Sequence, residues 1–405
     1  MSNDRDDQTA AVISSETPNR KRSLQFVQIT GDHRAESGGA YLTVLNFAIA
    51  IRSNGWGTRI LSFDHVVELP AEEVTRYAVS RWPLLRHCFF SPAAYSDETR
   101  RLINKADCII VHGTYSLSSL AIIRHVRRAG VPVVVVPHGG LDPWVFSYRA
   151  WRKRVWLRLF RTEFLSGSAC VIFATEREKE KAKPFVNKSK TAVVNWPIAL
   201  PAKYEKSSSA EHLRARFDLP AGAKVLLYCG RVHPSKRPLE TARAFLAANT
   251  PNWVLLIVGP LSREISEGSL AAICEGSNKK CFIAGPQFGA DLADCYRGSS
   301  AFVLLSHKEN FGYTVAEAAS YGIPVLISSG IDLSSEVLRH RAGVVCKDET
   351  PEGFSRALYD FCNLPDDALS EMGKSGRRWV DEHLSPSSFS AALGEVLAEA
   401  VSRRL

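Results

Sequence analysis

The sequence predicts an α/β protein of two Rossmann-like domains facing each other across a cleft. Three observations lead there. Apolar runs of buried-strand length alternate with helical patterns from residue 23 almost to the C-terminus, as parallel sheets with crossover helices require. The alternation breaks once, at the polar, Pro- and Ser-containing stretch ALPAKYEKSSSAEH (199–212), and then begins again. A chain of 405 residues is too long for one ordinary core and long enough for two.

In the first half, SLQFVQIT (23–30) reads as a buried strand. The loop GDHRAESGGA follows, then a helix carrying Leu42, Leu45, Ala48, Ile49 and Ile51. TRILSF, DCIIVH, VPVVVVPH, ACVIFAT and TAVVNW read as further strands, and 117–129 as a helix. After the break come AKVLLYCG, a helix over 238–248, NWVLLIVGP, a helix near 269–275 and KCFIAG. A helix near 291–297, the strand AFVLLS, a helix near 314–321 and the strand PVLIS complete the round. The last helical stretch, 388–402, follows the break HLSPSS and has the composition to pack on either domain. The expected division is a disordered lead-in (1–22), a first domain (23–200), a linker (201–212), a second domain (213–385) and a C-terminal helix (386–405). Doubly wound sheets bind ligands beyond the carboxyl ends of their strands, so the chemistry belongs in the loops that follow them.

Composition narrows the class. With 45% apolar and 23% charged residues the chain reads as soluble and globular, and no stretch approaches the roughly 20 apolar residues of a membrane-spanning helix. The lead-in MSNDRDDQTAAVISSETPNRKR lacks the apolar centre of a signal peptide, so cytoplasmic residence is expected. Nine scattered cysteines without a C-x-x-C pair describe neither a disulfide frame nor a zinc site. Cys108, Cys170 and Cys229 lie inside apolar runs and read as small buried hydrophobes. The net charge of +9 is concentrated in the segment 144–164. There Arg149, Arg152, Lys153, Arg154, Arg158 and Arg161 face one acid, Glu163, and alternate with Trp144, Trp151, Trp156, Phe160 and Phe164. Such a patch suits a phosphorylated or membrane-borne partner, and it equally describes a solvated helix with aromatic core contacts. No helix-turn-helix, RNP or zinc-finger pattern accompanies the charge, so nucleic acid is not the expected partner.

The sharpest constellation is SHKENFGYTVAE (306–317). A strand delivers the chain to the domain's carboxyl edge, Glu309 lies in the loop, Gly312 supplies backbone freedom, and Thr314 starts a helix. Unpaired amides at a helix start, with the macrodipole behind them, suit a pyrophosphate. Glu317, one turn into the helix, tilts back toward that anion site and can accept from two ribose hydroxyls, while Glu309 faces the sugar end. More plainly, Glu309 is an exposed loop acid and Glu317 a first-turn acid favoured by the dipole. A second motif, CGRVHPSK (229–236), weighs against that. It sets Arg231 and Lys236 five residues apart around a Pro turn at another strand end, where two cations can neutralise a diphosphate leaving group.

These residues resemble a known family. Glu309 and Glu317, with seven residues between them, resemble the E-x7-E element of the retaining family 4 glycosyltransferases, and ENFGYTVAEAASYGIPVLIS resembles that family's donor-binding block throughout. GRVHPSK is similar to its Gly-Arg…Lys pyrophosphate element, and FIAGPQFGADLADCYRGSSAFVLLS to the segment leading to the donor block. GVPVVVVPHGGLDPW resembles the HGMLxPW variant of bacterial exopolysaccharide and capsule enzymes of glycosyl transferase group 1. The similarity runs from about residue 37 to 378, and its C-terminal motifs are the more specific. One departure is Asn195-Trp196-Pro197, where members usually carry Pro-Asn-Gly.

The resemblance implies a GT-B fold and a role for each matched residue. Arg231 and Lys236 would hold the donor diphosphate, Glu317 the ribose, and the helix start at Thr314 the phosphates. Glu309 and the backbone of Asn310, Phe311 and Gly312 would contact the transferred sugar, and residues after Gly285 would line the base. His138 would lie at the reacting centre. Gly38 and Gly39 match the first-domain glycine loop that approaches donor phosphates or acceptor, although they read equally as a helix-entry turn. His138 has its own alternative, a strand-end histidine bonded to backbone. His112, in VHGTY, occupies a similar edge with less family signal.

The expected activity is transfer of a sugar from a nucleotide-diphosphate donor to a saccharide or polyprenyl-diphosphate-linked saccharide, with retention, in polysaccharide biosynthesis. No cofactor is expected beyond the nucleotide sugar. The only D-x-D is Asp4-Arg5-Asp6 in the lead-in, so no catalytic metal is expected either. The basic-aromatic segment suggests peripheral attachment to the inner face of the cell membrane. A sugar-nucleotide epimerase on the same fold and a basic nucleic-acid-binding protein remain as alternatives. A nicotinamide dehydrogenase is disfavoured, because the glycines at 55 and 57 follow a helix and form no dinucleotide fingerprint.

Overall fold

The computed structural model describes residues 23–30, 39–62, 74–76, 97–147, 150–201 and 206–402. The lead-in 1–22 and Gly38 lie outside them. The first domain is a seven-stranded sheet of β1 (Gln25–Thr30), β2 (Gly57–Ser62), β3 (Val74–Arg76), β4 (Cys108–His112), β5 (Val133–Val136), β6 (Cys170–Phe173) and β7 (Thr191–Val193), in the order β3-β2-β1-β4-β5-β6-β7. The second has six strands: β8 (Lys224–Cys229), β9 (Trp253–Val258), β10 (Cys281–Gly285), β11 (Ala301–Leu304), β12 (Val325–Ser328) and β13 (Gly343–Cys346). Their order is β10-β9-β8-β11-β12-β13. Every pairing is parallel.

Helices α1 (Gly39–Ser53), α2 (Asp97–Lys105), α3 (Leu117–Arg128), α4 (Ala150–Arg161) and α5 (Glu176–Val186) belong to the first round. The second brings α6 (Lys206–Arg216), α7 (Pro238–Ala248), α8 (Glu267–Glu275), α9 (Gly289–Gly298) and α10 (Tyr313–Ser320). After it come α11 (Ser334–Arg339), α12 (Pro351–Cys362), α13 (Asp366–His383) and α14 (Pro386–Ser402). Strands such as β5, four valines, and β9, WVLLIV, are buried along their whole length. Central parallel strands are covered on both faces, so their sequences do not alternate; each fully buried Val, Leu or Ile contributes about 1.5–3 kcal/mol. Strand order reverses between β1 and β4 and again between β8 and β11. Loops leaving the sheets at these switch points line the crevice.

Three features go beyond the sequence reading. The stretch assigned to the linker, 201–212, is helical from Lys206 onward, and α6 packs on α9 through fully buried Leu213. A methyl group on Gly298 would meet Leu213 Cβ at 2.5 Å, so the two helices are in close contact. In KSSSAEHLRAR one large apolar residue carries that packing, too little to produce a readable period. α6 thus runs across the boundary between the expected linker and the expected second domain. Next, α14 lies on the first domain, against α1. Asn54 Nδ2 donates to Ser390 O and Ser390 Oγ, both at 3.0 Å, while Phe389 packs against Phe47 and Trp196. Finally, β3 and β13 are additional edge strands.

Candidate active site

The loop after β8 is shaped by its backbone. Gly230 has φ 154, and the carbonyl oxygen of Gly230 lies where a Cβ on Gly259 would fall. The chain then forms a short 3-10 turn, Pro234–Lys236, capped by His233 Nδ1 accepting from Ser235 N at 3.0 Å. Arg237 follows in the left-handed region (φ 53) before Pro238 opens α7. Its buried guanidinium donates to Glu349 at 2.7 Å and to Leu305 O at 3.3 Å, fixing the base of the loop. Arg231 is exposed at the edge, while Lys236 is largely covered.

Lys236 and Glu309, distant in sequence, are joined. Lys236 Nζ forms an ion pair with Glu309 Oε1, and Ser306 Oγ donates to the same oxygen at 3.0 Å. The backbone stitches the two loops together as well, His307 N donating to Ser235 O at 2.9 Å. Glu309 is held in place by a bridge to Ile331, with Asp332 N donating to Glu309 O at 3.1 Å. Burial, and then the Arg231 guanidinium, push the Lys236 ammonium down to about 8. The Glu309 carboxylate acts the other way, favouring the charged amine.

Beyond Glu309 come Asn310, buried Phe311 and Gly312, whose φ of 94 turns the chain into α10. A Cβ-bearing residue at that φ is strained. The first intrahelical bond is Val315 N to Gly312 O at 3.0 Å, so the amides of Tyr313 and Thr314 precede it at the helix start. Glu317 is half-buried and accepts from Tyr296 Oη at 2.7 Å. Burial raises its carboxyl above the usual range, and the Tyr296 bond works against that rise. Tyr296, itself buried and stacked on Tyr321 (5.2 Å, 12°), orients Glu317. Gly285, at φ 67, ends β10 and accepts from Gly259 N at 2.9 Å.

On the first domain, His138 follows β5 in the left-handed region (φ 50), and Gly139 repeats that conformation at φ 70. Glu178 on α5, 3% exposed, pins this turn. Its Oε1 accepts from Gly139 N and its Oε2 from Ala174 N, both at 2.7 Å. Burial pushes the Glu178 carboxyl up to about 7 against the pull of those two amides. The His138 ring touches His112 (Nε2 to Nδ1, 3.0 Å) and leans on Trp196 (6.2 Å between centroids).

The two halves meet here. A methyl group on Gly139 would lie 2.5 Å from Asn310 Oδ1, a buried oxygen with no hydrogen-bond partner among the described residues. A methyl group on Gly39 would lie 3.0 Å from the Tyr313 ring, and Tyr313 Oη bonds Thr43 Oγ1 at 3.1 Å. Gly39 is thus a point of close approach at the start of α1. A charged clasp closes the rim: Lys181 on α5 donates to Asp142 at 2.9 Å and to Asp332 at 2.6 Å. Lys308 lies 3.5 Å from Asp142, and Arg177 lies 3.8 Å from Asp332. Burial alone would raise the Asp142 carboxyl, but Lys181, the Trp144 amide and Lys308 hold it below the usual range. Glu178, Lys181, Asp142, Asp332 and Tyr296 carry no sequence signal as site residues.

The basic-aromatic segment divides along α4. Leu157 and Phe164 are buried, and Trp156 packs edge-on against Tyr115, Phe160 and Phe164. Trp151 (66%), Val155 (47%) and Leu159 (62%), four residues apart, form an exposed stripe. Arg152, Arg154 and Arg158 flank the stripe and are exposed, whereas Lys153 is committed to Val145 O at 2.6 Å. No helix among the described residues is long and apolar enough to cross a membrane, and no group of three or more His, Cys, Asp or Glu among them could hold a metal ion.

Comparison with known proteins places residues 38–195 with the glycosyl transferase 4-like domain and residues 209–379 with the glycosyl transferases group 1. A D-inositol 3-phosphate glycosyltransferase of Streptomyces avermitilis is 33% identical over 210 residues, 48% of this chain and 44% of that protein. One from Nocardiopsis dassonvillei is 28% identical over 278 residues, 63% of this chain and 62% of that protein. The matched stretch thus spans from under half to about three fifths of these relatives. Among solved structures, a glycosyltransferase from Rickettsia africae superposes with TM-score 0.74 at 16% identity, covering 94% of this chain and 99% of the other. HepE from Anabaena, in complex with UDP and glucose, gives 0.70 at 16% identity, covering 93% and 99%. These likenesses identify the two-domain architecture as the GT-B fold.

Proposed function

Since the chain joins a glycosyl transferase 4-like domain to a glycosyl transferases group 1 domain, we propose that it transfers a sugar from a nucleotide-diphosphate donor to a saccharide or lipid-linked saccharide acceptor. The observation carrying this reading is the convergence of Lys236 and Glu309 on one sheet edge, beside the start of α10. The donor diphosphate takes Arg231, Lys236 and the amides of Tyr313 and Thr314, and Glu317 takes the ribose. Residues after Gly285 line the base, and Glu309 with the backbone of Asn310–Gly312 meets the sugar. Diphosphate entering the cleft competes with Glu309 for Lys236, which leaves the Glu309 carboxylate to the transferred sugar. As the glycosidic bond breaks, negative charge grows on the leaving phosphate, and fixed cations and helix-start amides stabilise it without reorganisation. In this reading retention follows from the resemblance to the retaining family 4 enzymes, and the cations with the helix-start amides meet the leaving group's charge without a metal.

The acceptor belongs to the first domain, across from Glu309, with His138 at the reacting centre. The stripe of Trp151, Val155 and Leu159 flanked by Arg152, Arg154 and Arg158 supports peripheral attachment to an anionic membrane surface at the cytoplasmic face, with a polyprenyl-diphosphate-linked saccharide as acceptor in polysaccharide biosynthesis. The test is transfer from a panel of nucleotide sugars to soluble saccharides, polyprenyl-diphosphate-linked saccharide and inositol phosphate. Transfer with a retained anomeric centre supports the proposal. Epimerised nucleotide sugar without transfer, or no turnover of any nucleotide sugar, refutes it.

A further inference from the structure

We propose that His112 is a positioning residue for His138, fixing which nitrogen of that ring carries its proton. The proposal rests on the reading of His138 as a residue of the reacting centre. A buried chain of hydrogen bonds runs across three neighbouring strands. Thr58 on β2 accepts from Gln28 Nε2 on β1 at 3.3 Å, which turns the Gln28 carbonyl toward β4. Gln28 Oε1 lies 2.9 Å from His112 Nε2, and His112 Nδ1 lies 3.0 Å from His138 Nε2. Gln28 is 0% exposed and His112 6%.

A carbonyl oxygen only accepts, so the proton of neutral His112 is on Nε2 and its lone pair on Nδ1. The 3.0 Å contact to His138 is then satisfied only if His138 Nε2 donates. Neutral His138 is accordingly protonated at Nε2, with Nδ1 as its acceptor nitrogen, the form that takes a hydrogen bond from a substrate hydroxyl. The opposite tautomer of His138 would set two lone pairs against each other at that 3.0 Å contact.

The need for such a device follows from the backbone. His138 lies just past β5 at φ 50, so the strand's pleat does not dictate where its ring lies. Its neighbours do so instead. Glu178 holds the next amide at 2.7 Å, and His112 stacks beside the ring (5.2 Å, 23°) while bonding its Nε2. His112 is itself wedged by the edge of Phe47 (5.1 Å, 81°). A buried partner that selects the imidazole tautomer is a recurrent means of preparing a histidine for proton-sharing chemistry.

The test pairs two isosteres. His112→Asn offers its amide oxygen near the Nδ1 position, keeping an acceptor for His138. His112→Gln places its amide near Nε2, keeping the Gln28 contact and losing the His138 one. In ¹⁵N-histidine NMR spectra the wild type should show His138 as the Nε2-protonated tautomer, and His112→Gln should lose that preference. Turnover of His112→Gln should fall about tenfold or more with donor KM within about twofold, while His112→Asn stays within about threefold of wild type. His138→Ala, run alongside, should be nearly inactive. A wild-type His138 protonated mainly at Nδ1, or a fully active His112→Gln beside an inactive His138→Ala, overturns the proposal and leaves the role of His138 standing. A fully active His138→Ala removes that role and the proposal together. If neither isostere folds, the wild-type spectrum alone decides.

Discussion

A methyl group at Gly139 perturbs the contact that brings the two domains together, and its cost can be worked out from the backbone. Gly139 has φ +70, a conformation that costs an L-residue about 1–2 kcal/mol. In a domain of this size that amounts to a fall in Tm of about 2–8 °C. A second effect is local: the new Cβ would lie 2.5 Å from Asn310 Oδ1 and 2.9 Å from Asn310 Cγ, so the second-domain loop must withdraw. Gly55 is the control. It has φ +76 in the same domain, and nothing lies within 4 Å of its would-be Cβ. Gly55→Ala should therefore show the backbone cost alone, with activity unchanged. Gly139→Ala should show that cost and, in addition, a loss of turnover of about tenfold or more, because the loop bearing Glu309 no longer closes on its partner. The assays are thermal unfolding by circular dichroism and steady-state turnover with the preferred nucleotide sugar. Equal activity in the two variants, or a Gly139→Ala protein as stable and active as wild type, would refute the account of the closed cleft.

Lys236→Ala should lose about 2–4 kcal/mol of transition-state stabilisation, seen as a fall in kcat/KM of some 30- to 1000-fold; activity within about twofold of wild type removes Lys236 from the leaving group. Glu317→Gln should weaken binding of the bare nucleotide in calorimetry, because an amide accepts through one oxygen only. Glu309→Gln should cut turnover but leave nucleoside diphosphate affinity equal or tighter, since it frees Lys236 from its ion pair; matching losses of nucleotide affinity in both variants contradict this division of roles. Wild type should co-sediment with anionic but not neutral liposomes, and joint replacement of Arg152, Arg154 and Arg158 by Ala should abolish that. Indifference of the wild type to lipid charge would make the stripe on α4 an ordinary solvated face.

The architecture was legible because buried parallel strands are uniform apolar runs, and the strands read from the sequence all lie in the sheets. β3 (Val-Thr-Arg) has no apolar run and β13 is mostly half-buried, so neither reads as a buried strand, and both form sheet edges. The start of α10 at Tyr313 lies one residue from the helix start the sequence predicts, because Gly312 marks the turn by its backbone. The site was only partly legible. Arg231, Lys236, Glu309 and Glu317 sit in local motifs, but the pairing of Lys236 with Glu309 is a product of strand order. Glu178 is hidden in EREKEKAKPFV, where one buried carboxylate looks like its solvated neighbours; only its spacing with Ala182 and Val186 on the buried face marks it. The clasp of Lys181, Asp142 and Asp332 joins three separate segments, and no window of sequence contains it. Trp196, a departure from the family pattern, leans on the His138 ring and packs edge-on against Phe389, tying the segment after β7 to α14.

The most direct test of the central claim is titration calorimetry of the wild-type protein with the nucleoside diphosphates and their sugars in excess chelator. The account predicts that one nucleoside diphosphate binds without divalent metal, and that its sugar conjugate raises Tm in step with ligand concentration, as a ligand of the native state must. The same binding should be weaker in Lys236→Ala. Absence of binding by every nucleoside diphosphate and nucleotide sugar, or binding only when Mg²⁺ or Mn²⁺ is restored, would contradict it.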